Sequence, residues 1–192
     1  KHHWHEEVEL LYFSGGEFCL EVNMERFHIS EECFYFINPG ELHSINVEKN
    51  GGCVENAVVF HMDMLNSSYS LDQIQTNLIQ PVQNGSIQFP RCLRKDEPAF
   101  EKVRTAYEEI QNAFSGSAYR GDYYDGEAVT DDITRQLFIK SALLRILAVL
   151  SANNLFEVTE KNHDRRIETI KTTLTYIQEN YKEKIYIRDL AG

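Results

Sequence analysis

The apolar residues of this 192-residue chain change their spacing at Pro98, and that change limits the folds open to it. Before Pro98, apolar and polar residues alternate in short runs. In "EFCLEVN", Phe18, Leu20 and Val22 share one face, and Glu17, Cys19 and Glu21 share the other. Residues two apart point the same way on a strand, so this run reads as a strand with one buried face. "VELLYF" ends at "SGG", "NMER" turns the chain into "FHIS", and "CFYFIN" stops at "PGE". "HSINVE" then stops at "KNGG", and "CVENAVVFH" follows. Short strands at this spacing, with turn residues between them, predict an antiparallel sandwich or small barrel over 1–61. Residues 62–95 pattern weakly. One helical turn is expected near "LDQIQTNL", with irregular chain around Pro81 and Pro90.

After Pro98 the spacing becomes helical. Phe100, Val103, Tyr107, Ile110 and Phe114 follow one helix face. "SGSAYRGDYYDG" is a loop by composition, and its Arg120–Asp122 tripeptide is taken as chance. A second helix is expected over Ile133–Ala152, capped by Asp131 or Asp132. Leu137, Phe138, Leu143, Leu144, Ile146, Leu147, Val149 and Leu150 make it apolar on most sides. Such a helix needs more than one packing partner. A third is expected over 165–181, with Ile167, Ile170, Leu174, Ile177 and Tyr181 on one face. "KIYIRDLAG" begins what reads as a fourth. The expected organisation is a strand-built domain over 1–95, a helical region over 96–162 and a further helical segment over 163–192.

Apolar residues make up 42% of the chain, enough for a core, and no run approaches the roughly 18 continuous apolar residues of a membrane span. A cytoplasmic, non-membrane protein is expected. The net charge of −11 argues against a broad grip on a phosphate backbone. That acidity lies wholly before His163, and the tail is near neutral, which marks a module boundary. Cys19, Cys33, Cys53 and Cys92 form no CxxC pair and are expected to be free thiols.

The chain opens "KHHWHEEVE". His3, His5 and Glu9 share a parity, so on a continuous strand their side chains point the same way. His43 stands just past the "PGE" turn and becomes a fourth candidate if its strand lies beside the first. Three imidazoles and one carboxylate suit zinc, nickel, iron or manganese, with positions open for water or a ligand. Paired histidines also occur in wet pockets without a metal, and both readings stand at this point. His2 has the other parity and reads as surface. His28 and His61 read as strand residues and His163 as linker. Glu6 and Glu7 are weaker acid–base candidates. No phosphate loop, GxSxG or nucleophile–base pair appears.

The spacing H-x-H-x3-E-x6-G over His3, His5, Glu9 and Gly16, followed by "PGELH", resembles the two motifs of the cupin superfamily. That resemblance implies a mainly β fold with α, built on a cupin-like antiparallel β-barrel (a double-stranded β-helix). It places the metal-ligand positions on His3, His5, Glu9 and His43. Three positions depart from the second motif: Glu32 stands at a usual glycine, Asn38 at a usual proline and Val47 at a usual asparagine. "FINPGELHSI" is similar to the regulatory cupin of AraC-type bacterial transcription regulators, and "RIETIKTTLTYIQENYKEKIYIRDLAG" resembles the start of that family's helix-turn-helix DNA-binding domain.

The resemblance implies an effector-sensing and dimerisation portion, not an enzyme. A small effector, such as a sugar, would enter the barrel. It would meet the face of His3, His5 and Glu9, with Leu11, Phe13 and His43 lining the site. A homodimer would form through the helices at 98–154, which would also carry the signal. DNA would be bound only by helices beyond Gly192. The alternative is a metal-dependent cupin enzyme, a dioxygenase or isomerase, with the same four residues holding a catalytic metal. The helical tail favours the regulator, since such an enzyme has no use for it.

Overall fold

The computed structural model describes residues 2–47, 55–69, 71–114, 132–159 and 165–182. The expected Cys53, the 120–122 tripeptide, His163 and "KIYIRDLAG" lie outside these residues.

The first part is antiparallel β. β1 (Val8–Phe13), β2 (Phe18–Val22), β3 (Glu25–Ile29), β4 (Cys33–Ile37), β5 (His43–Val47) and β6 (Glu55–Phe60) follow the expected runs. A 3-10 turn (Met62–Leu65), a π-helical stretch (Gln75–Ile79) and the short α1 (Gln80–Gln83) come next. β7 (Ile87–Gln88), β8 (Cys92–Arg94), α2 (Phe100–Phe114), α3 (Ile133–Ala152), β9 (Glu157–Val158) and α4 (Arg165–Asn180) complete the described chain. One sheet has the order β6-β1-β4-β8, a second β3-β2-β5, and β7 pairs with β9.

Two of the turns have backbone causes. Gly16, the glycine of the first motif, has φ 105° between β1 and β2, a region that a side chain disfavours. The β2–β3 hairpin turns on Asn23 and Met24, both at positive φ, as a two-residue loop matching strand twist requires.

Strand parity sorts the core into two clusters. Leu11 and Phe13 of β1 and Cys33, Tyr35 and Ile37 of β4 meet Phe18, Leu20 and Val22 of β2 and Ile29 of β3. This is the space between the two larger sheets. The opposite faces, with Val8, Leu10, Phe34, Phe36, Val58 and Phe60, pack on Phe100, Val103, Tyr107 and Ile110 of α2 and on Ile139, Leu143, Ile146 and Leu150 of α3. β1 and β4 are therefore covered on both sides, which is why "VELLYF" and "CFYFI" are apolar almost throughout. Asp132 caps α3, its Oδ1 accepting from the Thr134 and Arg135 amides at 2.9 and 3.3 Å.

Four expectations need correction. Residues 62–95 hold more than one helical turn. The π-helical stretch runs into α1, and Pro81 stands at the second residue of α1. β8 was not foreseen, because three residues between Pro90 and Pro98 are too few to show a period. His61 is not a strand residue: its Nδ1 accepts from the Asp63 amide and caps the 3-10 turn. Finally, His3 and His5 do not continue β1, which starts only at Val8.

Candidate functional site

The four candidate residues come together, though not by strand parity. His3 pairs with His43 as an isolated antiparallel bridge, each amide donating to the other's carbonyl at 3.0 and 2.9 Å. His43 opens β5, opposite Val22 of β2. Glu9 lies in β1, opposite Ile37 of β4 and Val59 of β6. The segment 3–9 thus crosses from one sheet to the other. It bends at Glu6 and Glu7, and the Gly40 amide donates to the His5 carbonyl at 2.8 Å. The cluster sits where the sheets are joined, at one end of the interior. Each of His3, His5, Glu9 and His43 offers a ligand atom within 4.8 Å of the others'.

Hydrogen bonds fix which ring nitrogens face inward. His43 Nδ1 lies 2.9 Å from the Glu41 carbonyl, and His5 Nδ1 lies 3.1 Å from the Glu7 carbonyl. A carbonyl only accepts, so both Nδ1 atoms donate. In the neutral rings each Nε2 then carries a lone pair. Both Nε2 atoms point at one carboxylate oxygen, Glu9 Oε2, at 3.0 Å from His43 and 3.3 Å from His5. His43 Nε2 is fully buried and, despite that short distance, has no hydrogen-bond partner in the neutral ring. Lone pairs facing one another at 3 Å repel, and only a cation or a proton between them relieves this.

The charges respond accordingly. Burial works to raise the Glu9 carboxyl, but the His43 and His5 rings, once protonated, donate to it and bring positive charge, which outweighs burial and holds the group at about 2. Burial works to lower His5, but the bond to Glu9 and the charges of Glu9 and Glu7 outweigh it and raise the ring above its usual value. A carboxylate and oriented imidazole nitrogens suit a divalent cation of the zinc, nickel, iron or manganese kind. The residues present fit such a metal.

Leu11 and Phe13 follow Glu9 inward and are fully buried. The Phe13 ring stands 4.6 Å from that of Phe18 and 5.9 Å from that of Tyr35. Leu11 and Phe13 both belong to the packed core between the sheets. His2 lies outside, bonded to Glu21 and Ser44.

The turn that carries His43 is held by residues that the sequence reading passed over. Arg91 makes a two-pronged ion pair with Glu41, with Nη1 at 2.7 Å from Oε2, and also donates to the Phe36 carbonyl. Glu41 Oε2 accepts from the Asn38 amide at 2.8 Å. The Asn38 side chain exchanges hydrogen bonds with the Phe89 backbone, at 2.8 and 3.4 Å. Glu41 was in view within "PGELH", but Arg91 lies 50 residues away and carries no local signal. On the far side of the turn, a Cβ at Gly40 (φ 75°) would lie 3.7 Å from Lys171 Nζ of α4 and 4.0 Å from Glu6 Oε1. Two surface clefts are lined by none of the four cluster residues. One of about 410 Å³ is lined by Ile74, Leu78, Ile87 and Phe156, and one of about 160 Å³ by Glu6, Pro39, Val82 and Gln88.

Residues 1–99 match the family model described as the AraC-like ligand binding domain. No curated protein matches the chain.

Proposed function

Because the chain belongs to the AraC-like ligand-binding domain family, we propose that it is the effector-sensing and dimerisation portion of an AraC-type transcription regulator. The observation that carries this reading is the polar cluster of His3, His5, Glu9 and His43 at one end of an otherwise apolar interior. Glu9 and His43 are its buried members, and buried polar groups need a partner. A small effector, such as a sugar, meets them there, with Leu11 and Phe13 as the floor of its site. His3, His5, Glu9 and His43 would hold a divalent metal, which would supply a Lewis-acidic anchor for effector oxygens. Glu41 and Arg91 keep His43 in place.

The helices at 98–154 supply the dimer interface. On α3, Ile133, Leu137, Phe138 and Leu144 are exposed at 73, 63, 60 and 39%. A single chain leaves this stripe in water, and a second copy covers it. DNA contact belongs to helices that follow α4. Effector binding acts by favouring one arrangement of the dimer or the linker over another. Lys171 of α4 stands beside the turn that carries His43, which gives the signal a path besides α2 and α3. No described helix is long and apolar enough to cross a membrane.

One observation favours the second reading, a metal-dependent dioxygenase or isomerase: the donor set would leave metal positions open for a substrate. His5→Ala separates site from scaffold. It should weaken effector and metal binding and leave the dimer intact. Loss of the dimer in that variant would make the cluster structural and sink the sensing site. Turnover of a bound metabolite by the metal-loaded protein would favour the enzyme.

A further inference from the structure

A second group of reactive side chains lies on the inner face, far from the histidines. In the β1–β4 register Glu9 opposes Ile37, whereas Phe13 opposes Cys33. Four residues of strand, about 13 Å, separate the two levels. In the β4–β8 register Cys33 opposes Arg94 and Tyr35 opposes Cys92. Residues opposite one another in a ladder project to the same side. Cys33 and Tyr35 face the interior, so Cys92 and Arg94 share that side. Leu93, between them, faces the helices instead.

The four make a two-by-two block at the sheet's edge, since β8 closes the order β6-β1-β4-β8. Cys92 is partly exposed, whereas Cys33 is only 5% exposed, and both are free thiols. The register sets the Cys33 thiol, the Tyr35 hydroxyl and the Arg94 side chain around the Cys92 sulfur. Chiefly through Cys33, and against the effect of burial, these groups hold Cys92 below the ordinary thiol range. The same pairing pushes Cys33 up. A partly exposed thiol thus shares one face of neighbouring strands with a buried one.

We propose that Cys92 and Cys33 form a hydroperoxide-reactive pair, with Cys92 the nucleophile and Cys33 the resolving thiol. The Cys92 thiolate attacks one oxygen of the hydroperoxide. The O–O bond breaks, an S–O bond forms, and hydroxide or alkoxide leaves with the electron pair and takes up a proton. Sulfur is oxidised to sulfenic acid and the peroxide is reduced. Cys33 then attacks that sulfur. The S–O bond breaks, an S–S bond forms, and the Cys33 proton leaves with the hydroxyl as water. Arg94 beside Cys92 favours the thiolate and disfavours a soft cation, the other natural occupant of two thiols. The cysteines are diagonal in the ladder, where neighbours stand farther apart than a relaxed disulfide takes. Closing the bond draws the edge strand β8 along β4.

The test uses the whole chain, reduced and in chelator to prevent metal-driven oxidation. It is given a small excess of hydrogen peroxide near neutral pH, then alkylated and mapped by mass spectrometry without reduction. The expected result is a peptide linked through Cys33 and Cys92, formed about tenfold faster than Cys19 is oxidised. Cys33→Ser should trap Cys92 as a sulfenic acid that dimedone captures, and Arg94→Gln should slow Cys92 oxidation. The proposal is overturned if Cys19 reacts as fast as Cys92, or if Cys92 is oxidised while Cys33 stays a free thiol. Should Cys33→Ser fail to fold, the linked peptide in the unaltered chain decides alone.

Discussion

Glu9 is a carboxylate only 5% exposed, and its two histidine neighbours determine what that burial costs. Its folded value of about 2 lies below the ordinary 4.5. A depressed folded value means that Glu9 stabilises the metal-free fold above the unfolded value and loses that effect as pH falls through the folded one. The gap sets a ceiling of about 3 kcal/mol. In chelator, the stability of the unaltered protein should therefore drop from about pH 4.5 down towards pH 2, and Glu9→Gln should flatten that slope. Denaturant titration across this range reads it, and identical slopes in the two proteins would refute the coupling. His43→Ala removes the more buried partner and leaves Glu9 charged and poorly paired. A loss of about 3 kcal/mol in chelator is expected, since breaking a buried pair costs more than the pair is worth. Surface His2→Ala should change stability by less than about 0.5 kcal/mol.

At the scale of the element, the 38–43 turn and α3 carry the argument. The turn places His43, and Arg91, Glu41 and Asn38 place the turn. Arg91→Ala should lower stability by about 3 kcal/mol and weaken metal binding by about tenfold or more through His43. Calorimetric titration with zinc checks the second effect, and unchanged affinity would detach the ion pair from the site. On α3, one face packs through Ile139, Leu143, Ile146 and Leu150, while Leu137 and Phe138 face water. Leu137→Asp with Phe138→Asp should leave the monomer folded and weaken self-association by about a hundredfold, the equivalent of two buried apolar side chains. Sedimentation over a range of concentrations measures it. A dimer of unchanged strength would move the interface elsewhere.

Over the whole molecule, what could be read from the sequence follows the range of the interactions. The strands of 8–47 and the helices α2 and α3 were legible because alternation and helical spacing report burial directly. Val8 and Leu10 could be sorted from Leu11 and Phe13 by parity alone, and the two core clusters divide them in that way. The grouping of His3, His5, Glu9 and His43 was legible too, but through an assumption that fails. His3, His5 and Glu9 do not share one strand; a bend and a cross-sheet bridge bring them together. β8 was too short to show a period, and Arg91 meets Glu41 only after the sheet has formed. Asn38 read as a departure from a motif, yet its side chain clasps Phe89 across the fold. In the proposed function, the joined end of the two sheets is a ligand site organised by His3, His5, Glu9 and His43. Metal content per chain, measured on the purified protein and on Glu9→Gln after equal exposure to zinc, nickel, iron and manganese, tests it most directly. One ion per chain in the unaltered protein and almost none in the variant is the expected result. An unaltered protein without metal, or a variant that holds as much, would contradict it.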